Sequence, residues 1–322
     1  MLSQASLHDL QDVLSGIRRV LIVSHVDPDG DTIGSALGLA WALRSQGLAV
    51  RLACQDPLPD EVGFLPGVEA FQSDGLTDEQ LVIAVDTSDR RRMGKRYVES
   101  DLGGRPLVVI DHHVTNPGFG DVNLIAGAPA TALLMLEVVD HLGVPLDATI
   151  ATCLLTGIIT DTQGFRTSNT TPEALAAAQR LMQAGAPLAQ INQWAFSRRA
   201  AATLPVWGAA LANATLTDGV LWAELPYDLL RQNGIGGEAS SGLVNFFNTV
   251  REAQIAVVLT EQPDGIIDVS LRSKPGVDVS AVALALGGGG HAQAAGCQIA
   301  GELAEVRARV VAAAQAAVAR AG

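Results

Sequence analysis

The 322-residue chain has no uninterrupted apolar run approaching the ~18 residues that suggest a membrane span. It also lacks a signal-peptide pattern at its start. MLSQASLHDLQDVLSG carries acidic residues early, shows no small-residue cleavage site after an apolar block, and reads as an amphipathic helix. Cysteine is scarce. Cys54, Cys153 and Cys297 are far apart, odd in number and set among apolar residues, without a zinc motif. That usage fits buried thiols in a reducing cytoplasm. Positive charge is in short supply, with 21 Lys and Arg against 34 Asp and Glu and a net charge of −13. A protein that holds long DNA or RNA by its backbone usually shows a basic face. The basic clusters here, Arg18-Arg19, RRRMGKR at 90–96 and Arg198-Arg199, are small. The balance argues against a long polyanion and permits a short one held at a metal centre. Repeats and disordered tracts are missing too.

What is present is apolar and ordered. Apolar residues make up 48% and mean hydropathy is +0.27, enough for real cores. The length suggests two domains. In the first half strand and helix signals alternate. RVLIVS (19–24), AVRLAC (49–54), LVIAVD (81–86) and PLVVID (106–111) are nearly continuous apolar runs, as in parallel strands buried on both faces. Helices are predicted over 33–47, 130–143 and 147–160, and Thr171-Pro172-Glu173 opens another with an N-cap and an early acid. This is a doubly wound α/β pattern with a mostly parallel sheet. Near residue 185 it changes. A connecting helix over 185–201 leads to strand-like segments at 214–225, 253–262 and 266–273, the last two joined by the turn Pro263-Asp264-Gly265. Helical stretches fall at 238–250, 278–286 and 301–320. The expected organisation is a domain over 1–185, a helical linker over 186–206, and a smaller α+β domain with a mostly antiparallel sheet over 207–322, with the active site in the cleft between the domains.

In parallel α/β sheets, ligands bind outside the carboxyl ends of the strands. The first strand runs into LIVSHVDPDGDTIGS, which sets His25, Asp27, Asp29 and Asp31 at alternate positions. Asp86 ends the 81–86 run, and Asp111-His112-His113 ends the 106–111 run. Asp161 follows an apolar helix in GIITDTQGF. Taken singly, Asp31 could cap the helix at 33 and Asp111 could hydrogen-bond a loop. Together these carboxylates would repel one another strongly in one crevice, and cations relieve that. Mixed carboxylate and imidazole donors suit manganese, magnesium or iron better than a thiolate metal. Two ions ~3.5–4 Å apart, sharing one carboxylate, could orient a hydroxide for in-line attack on phosphorus. Asp27 reads as a solvated loop residue, and Asp89, His8 and His141 as surface or cap positions.

The motifs SHVDPDGD, VDTSD, DHH and TDTQGF, in that order, resemble those of the DHH phosphoesterase family. VSLRSK followed by GGGGHAQAAG resembles the DHH-associated domain that partners it. The resemblance covers nearly the whole chain and is to the stand-alone oligoribonuclease and pAp phosphatase type. It implies that His25, Asp29 and Asp86 hold one Mn2+, with Mg2+ or Fe2+ as alternatives. It implies that Asp31, Asp86, His112 and Asp161 hold the other, Asp86 bridging. Asp111 would orient His112 from behind, and His113 would face the scissile phosphate. Gln163 departs from the pattern where relatives often carry Gly.

In the second domain, Gly287, Gly288, Gly289 and Gly290 before His291 could form an anion nest or a flexible linker. Arg272 could pair bidentately with a phosphate or be an exposed edge charge, and Lys274 is a weaker candidate beside it. The expected activity is hydrolysis of very short oligoribonucleotides to nucleoside monophosphates, and of pAp to AMP. The alternative is a phosphodiesterase of cyclic-di-AMP or pApA. A RecJ-like single-strand exonuclease, a family II pyrophosphatase and a silent nucleotide-binding regulator fit less well. The expected partners are these short nucleotides, with neither long nucleic acid nor membrane, and a homodimer is left open.

Overall fold

The computed structural model describes residues 1–98, 102–197, 200–240 and 242–321. The basic pair Arg198-Arg199 lies outside the described residues. The chain forms two compact units, Met1–Arg198 and Arg199–Gly322.

The first unit is built on six parallel strands. They are β1 (Arg19–Ser24), β2 (Ala49–Ala53), β3 (Phe71–Gln72), β4 (Leu81–Val85), β5 (Leu107–Asp111) and β6 (Val122–Ile125), in the order β3-β2-β1-β4-β5-β6. Its helices are α1 (Gln4–Leu14), α2 (Gly30–Ser45), α3 (Lys95–Val98), α4 (Thr131–His141), α5 (Ala148–Asp161), α6 (Pro172–Gln183) and α7 (Leu188–Phe196). Val20 and Ile22 of β1 join one core with α2, α4 and α5, while Leu21 and Val23 join a second core with Met93 and Tyr97. Successive side chains of a strand face opposite ways, so a strand covered on both faces must be apolar throughout. That is why the four long runs read correctly. β3 and β6 were not anticipated; they are short strands at the two edges of the sheet.

In the second unit, α8 (Thr203–Asn213) precedes β7 (Thr215–Thr217), β8 (Val220–Leu225), α9 (Tyr227–Gln232), α10 (Leu243–Phe247), β9 (Ile255–Glu261) and β10 (Ile266–Ser273). Then come α11 (Val279–Ala285), β11 (Gly289–His291), β12 (Ala294–Ala300) and α12 (Leu303–Ala321). The sheet order is β11-β12-β10-β9-β8-β7, antiparallel except between β8 and β9. The stretch 214–225 is two strands, because Asp218 and Gly219 turn the chain with φ of 49° and 77°. The helix expected over 238–250 is a 3-10 turn, Gly237–Ser240, followed by the five-residue α10. Among the described residues no helix is long and apolar enough to cross a membrane, and the three cysteines are free and buried.

Candidate metal centre

The strand order of the first unit reverses between β1 and β4, whose outer neighbours are β2 and β5. Such a switch point opens a crevice at the carboxyl ends of the two strands. His25 follows β1 and Asp86 follows β4, so the order of the strands puts both at its mouth. Asp86 adopts a left-handed φ of 56° while its N–H donates to the Ile110 carbonyl at 2.9 Å. Asp tolerates that conformation better than most residues. The strained backbone turns its carboxylate back into the crevice.

Among the described residues three donor sets share Asp86. His25, Asp29 and Asp86 each place a donor atom within 4.8 Å of the others, and so do Asp31, Asp86 and His112; the third set is Asp86, Asp111 and His113. His25 Nε2 is 3.5 Å from Asp86 Oδ2, and His112 Nε2 is 3.5 Å from Asp86 Oδ1 and 3.4 Å from Asp161 Oδ2. His25 Nδ1 lies 2.7 Å from the Val26 carbonyl and His112 Nδ1 lies 2.9 Å from the Ala128 carbonyl. A ring N–H donated to a carbonyl leaves Nε2 as the lone-pair atom facing the acids.

Helix packing brings the remaining acids in. Gly30, Gly34 and Gly38 recur every four residues along α2. A Cβ on each would overlap Thr160, the Cys153 carbonyl and Leu154 of α5 in turn. The two helices therefore run antiparallel at close range, with the start of α2 beside the end of α5, where Asp161 lies. Gly157, one turn before Asp161, leaves the room that the Asp31 carboxylate occupies. Asp31 does not cap its own helix. Asp29 does that, accepting from the N–H groups of Asp31 and Thr32, which is why α2 starts at Gly30. Asp31 instead accepts from the Thr131 and Ala132 N–H groups at 2.6 and 2.9 Å, capping α4.

Asp31, Asp86 and His112 are buried. Burial, reinforced by the charge of Asp86, pushes Asp31 up to about 8. Burial and the charges of Asp31, Asp29 and Asp86 likewise hold Asp161 well above the ordinary carboxylate range. Burial opposes ionisation of Asp86 as well, but the imidazoles of His25, His112 and His113 outweigh it and hold its carboxyl low. The crevice thus holds more negative charge than burial tolerates, framed by oxygen and nitrogen donors with no thiolate among them. That donor set fits hard or borderline divalent cations.

The arrangement around Asp111 differs from expectation. Asp111 Oδ1 lies 2.7 Å from His113 Nδ1, so Asp111 orients His113 and not His112. β5 ends at Asp111, and beyond it both imidazoles approach Asp86, His112 Nε2 at 3.5 Å and His113 Nδ1 at 3.8 Å. Asn116, whose role was not anticipated, donates to Asp111 Oδ2 at 2.7 Å and to the Thr87 carbonyl at 2.9 Å. Thr131, also not anticipated, donates its hydroxyl to Asp86 Oδ1 at 2.8 Å. Its only local signal is its place at the start of a helix that follows a strand end. Arg92 is a third, with Nη2 3.1 Å from His25 Nδ1. Asp27 is exposed, and its N–H donates to Asp56 Oδ2 at 2.8 Å. Gln163 takes a left-handed φ of 48°, a conformation that glycine adopts without strain. His8 and His141 face each other edge to face, 5.2 Å apart, and Asp89 caps the turn at Arg90.

In the second unit Arg272 is not an edge charge, because β10 is flanked by β9 and β12. Lys274 directs its ammonium to the Val250 and Arg251 carbonyls, both at 2.7 Å. The glycine run is no linker: its end forms β11, paired with β12. Gly288 and Gly290 have no room for a Cβ against residues 294–297, whereas one at Gly289 would meet nothing within 4 Å. His291 is exposed on β11.

The N-terminal domain of the DHH family matches residues 19–158 and the DHHA1 domain matches residues 218–320. The chain is 36% identical over 309 residues to the bifunctional oligoribonuclease and PAP phosphatase NrnA of Thermus thermophilus, covering 94% of this chain and 91% of that one. It is 27% identical to the protein of the same name from Bacillus subtilis, over 87% and 89% of the two chains. To the cyclic-di-AMP phosphodiesterase GdpP of Geobacillus thermodenitrificans it is 25% identical over 91% of this chain, but that spans 46% of the relative. An exopolyphosphatase-related protein from Bacteroides fragilis shares the fold with a TM-score of 0.90 at 22% identity, over 99% of this chain and 98% of that one. With both domains matched and the similarity to NrnA running along nearly the whole chain, the chain belongs to the DHH family of phosphoesterases.

Proposed function

We propose that this phosphoesterase cleaves very short oligoribonucleotides to nucleoside monophosphates and converts pAp to AMP. The observation that carries this reading is that Asp86 belongs both to the donor set with His25 and Asp29 and to the one with Asp31 and His112. The chain holding them is similar along nearly its whole length to a relative named for both activities. His25, Asp29 and Asp86 would hold one divalent cation, and Asp31, Asp86, His112 and Asp161 a second. Manganese is the ion we favour, with Mg2+ or Fe2+ able to use the same donors. Bound there, the cations would neutralise charge at the phosphoryl group and acidify water for in-line displacement. The side chains supply the framework. The Val26 and Ala128 carbonyls fix the two imidazoles, and Thr131 fixes Asp86. Asp111, held by Asn116, fixes His113 through Nδ1, so that Nε2 can hydrogen-bond the phosphoryl oxygen. In the second unit, Arg272, the backbone of Gly288, Gly289 and Gly290, open at Gly289, and His291 would grip a phosphate of the substrate. Lys274 would support this strand through its carbonyl contacts. The free, buried cysteines suit a cytoplasmic enzyme.

The test is side-by-side turnover, with Mn2+ present, of RNA dimers to tetramers, a long single strand, pAp, pApA and cyclic-di-AMP. The expected result is cleavage of the short RNAs far faster than the long strand, together with release of phosphate from pAp. A net charge of −13 offers a long strand little general attraction. The similarity to GdpP supports a second reading, and faster turnover of cyclic-di-AMP than of RNA dimers would select it. No turnover of any of them overturns both.

A further inference from the structure

Arg272 lies in the interior of a sheet, register-paired with Ala256 on one side and Ala294 on the other. Its Nε donates to Asn245 Oδ1 at 2.9 Å and its Nη1 to the Leu271 carbonyl at 2.9 Å. Among the described residues no carboxylate comes within ion-pairing distance of it and none accepts from Nη2. Burial alone lowers its pKa. A cation withdrawn from water without a counter-charge is unfavourable by itself and favourable toward an incoming anion.

Asn245 projects from α10, whose Leu243, Val244 and Phe247 are buried in the core of the unit. The side chain is therefore carried on an anchored element. Arginine Nε can only donate, so the amide oxygen must face it and the amide N–H2 must face away. An aspartate would hold Nε equally well. It would also supply the missing counter-charge, cancelling the guanidinium and repelling a phosphate. A neutral acceptor is the choice that aims Arg272 while leaving its charge unspent.

We infer that Asn245 is a positioning residue that orients Arg272 for a substrate phosphate and, by being neutral, keeps that arginine available to an anion. The inference rests on the proposed reading of Arg272 as a phosphate grip.

The experiment uses the full-length protein and four variants: Asn245→Asp, Asn245→Ala, Arg272→Gln and the double variant Asn245→Asp with Arg272→Gln. Two readouts are taken. One is kcat and KM on an RNA dimer and on a small chromogenic phosphodiester. The other is calorimetric binding of 5′-AMP, which does not depend on turnover. Asn245→Asp is expected to raise KM for the dimer and weaken AMP binding by about tenfold or more, with kcat and the chromogenic substrate nearly unchanged. Asn245→Ala is expected to have a smaller effect in the same direction. In the double variant Asn245→Asp should add less than about twofold to the loss from Arg272→Gln. A purely structural role for Asn245 would lower Tm and affect both substrates alike. If Arg272→Gln changes neither the dimer KM nor AMP binding, the phosphate-grip reading fails and this inference with it. If Arg272→Gln weakens both and Asn245→Asp weakens neither, the inference alone is overturned. If the wild type cleaves no RNA dimer, the AMP affinities of the same variants decide.

Discussion

Thr131 donates its backbone N–H to Asp31 and its hydroxyl to Asp86, at 2.6 and 2.8 Å. One residue at the start of α4 thus sets the spacing of two carboxylates, one from the first turn of α2 and one from the end of β4. Asp31 lies 100 positions earlier in the chain and Asp86 lies 45 positions earlier. The N–H contact survives any substitution except proline, but the hydroxyl contact does not.

Thr131→Val keeps the shape and removes the hydroxyl. Metal affinity is expected to fall by about 10–100-fold, the usual cost of losing a hydrogen bond behind a ligand. Thr131→Ser should restore most of it. Manganese titration by calorimetry checks this, and a Val variant with wild-type affinity would remove Thr131 from the role.

Asp86→Asn should reduce kcat/KM more than any other single change among the six proposed ligands, because one carboxylate belongs to both proposed metal sets. Asparagine accepts the left-handed backbone at this position, so the loss is chemical and not conformational. A rate within about tenfold of wild type would be too small for a bridging ligand, given that metals contribute several kcal/mol to such transition states.

Asp111→Asn separates the two histidines that follow it. Since Asp111 touches His113, the variant is expected to lose about 10–100-fold in kcat while its manganese affinity stays within about twofold. Weakened manganese binding would instead place Asp111 behind His112.

Chelation should change both activity and the pH dependence of stability. Asp31 moves from the ordinary 3.8 to about 8 on folding. The folded chain therefore binds this proton more tightly than the unfolded one, and stability falls as pH rises through that window. His25 and His112, also raised despite burial by the acids around them, act in the same direction. With excess chelator, activity should vanish, and Tm should drop between about pH 4 and about pH 8. Manganese, which binds the deprotonated donors, should flatten that drop and add about 2.7 kcal/mol at a hundredfold excess over Kd. Parallel curves with and without the ion would refute the assignment.

Two glycine substitutions should move stability in opposite directions. Gly34→Ala would press a methyl group into the Cys153 carbonyl, and a backbone atom cannot swing aside. It should destabilise the protein by about 1–3 kcal/mol. Gly208→Ala, inside α8 with nothing within 4 Å of the new carbon, should stabilise by about 0.5–1 kcal/mol. Urea titration of both variants measures the difference, and equal shifts would exclude the packing argument.

Much of the first unit was legible because its chemistry is local. β1, β4 and β5 are apolar on both faces, and a run such as LVVI has few other uses. Asp86 and the Asp111-His112-His113 triplet stand directly behind those runs, so the strand-end rule gathers them without coordinates. What was hidden depends on contacts far apart in sequence or on strand order. Thr131 gives no sign of Asp31. Arg272 reads as an edge residue until β12 is known to pair with β10. β12 itself, AAGCQIA, is rich in small residues that mark no face, and β11 is largely glycine. The partner of Asp111 was hidden too, because His113 lies beyond the end of β5, where strand periodicity no longer applies.

The row Gly30, Gly34 and Gly38 gives the protein an unusual mutational footprint. Around most active sites, sensitivity to substitution fades with distance in all directions. Here it should extend as a narrow line along α2, one intolerant position per turn, since each glycine keeps α5, which carries Asp161, close to the helix that carries Asp31. A saturation scan scored on activity would show an isolated loss at Gly38, two turns beyond Asp31. Read without the structure, it would be taken for a second site.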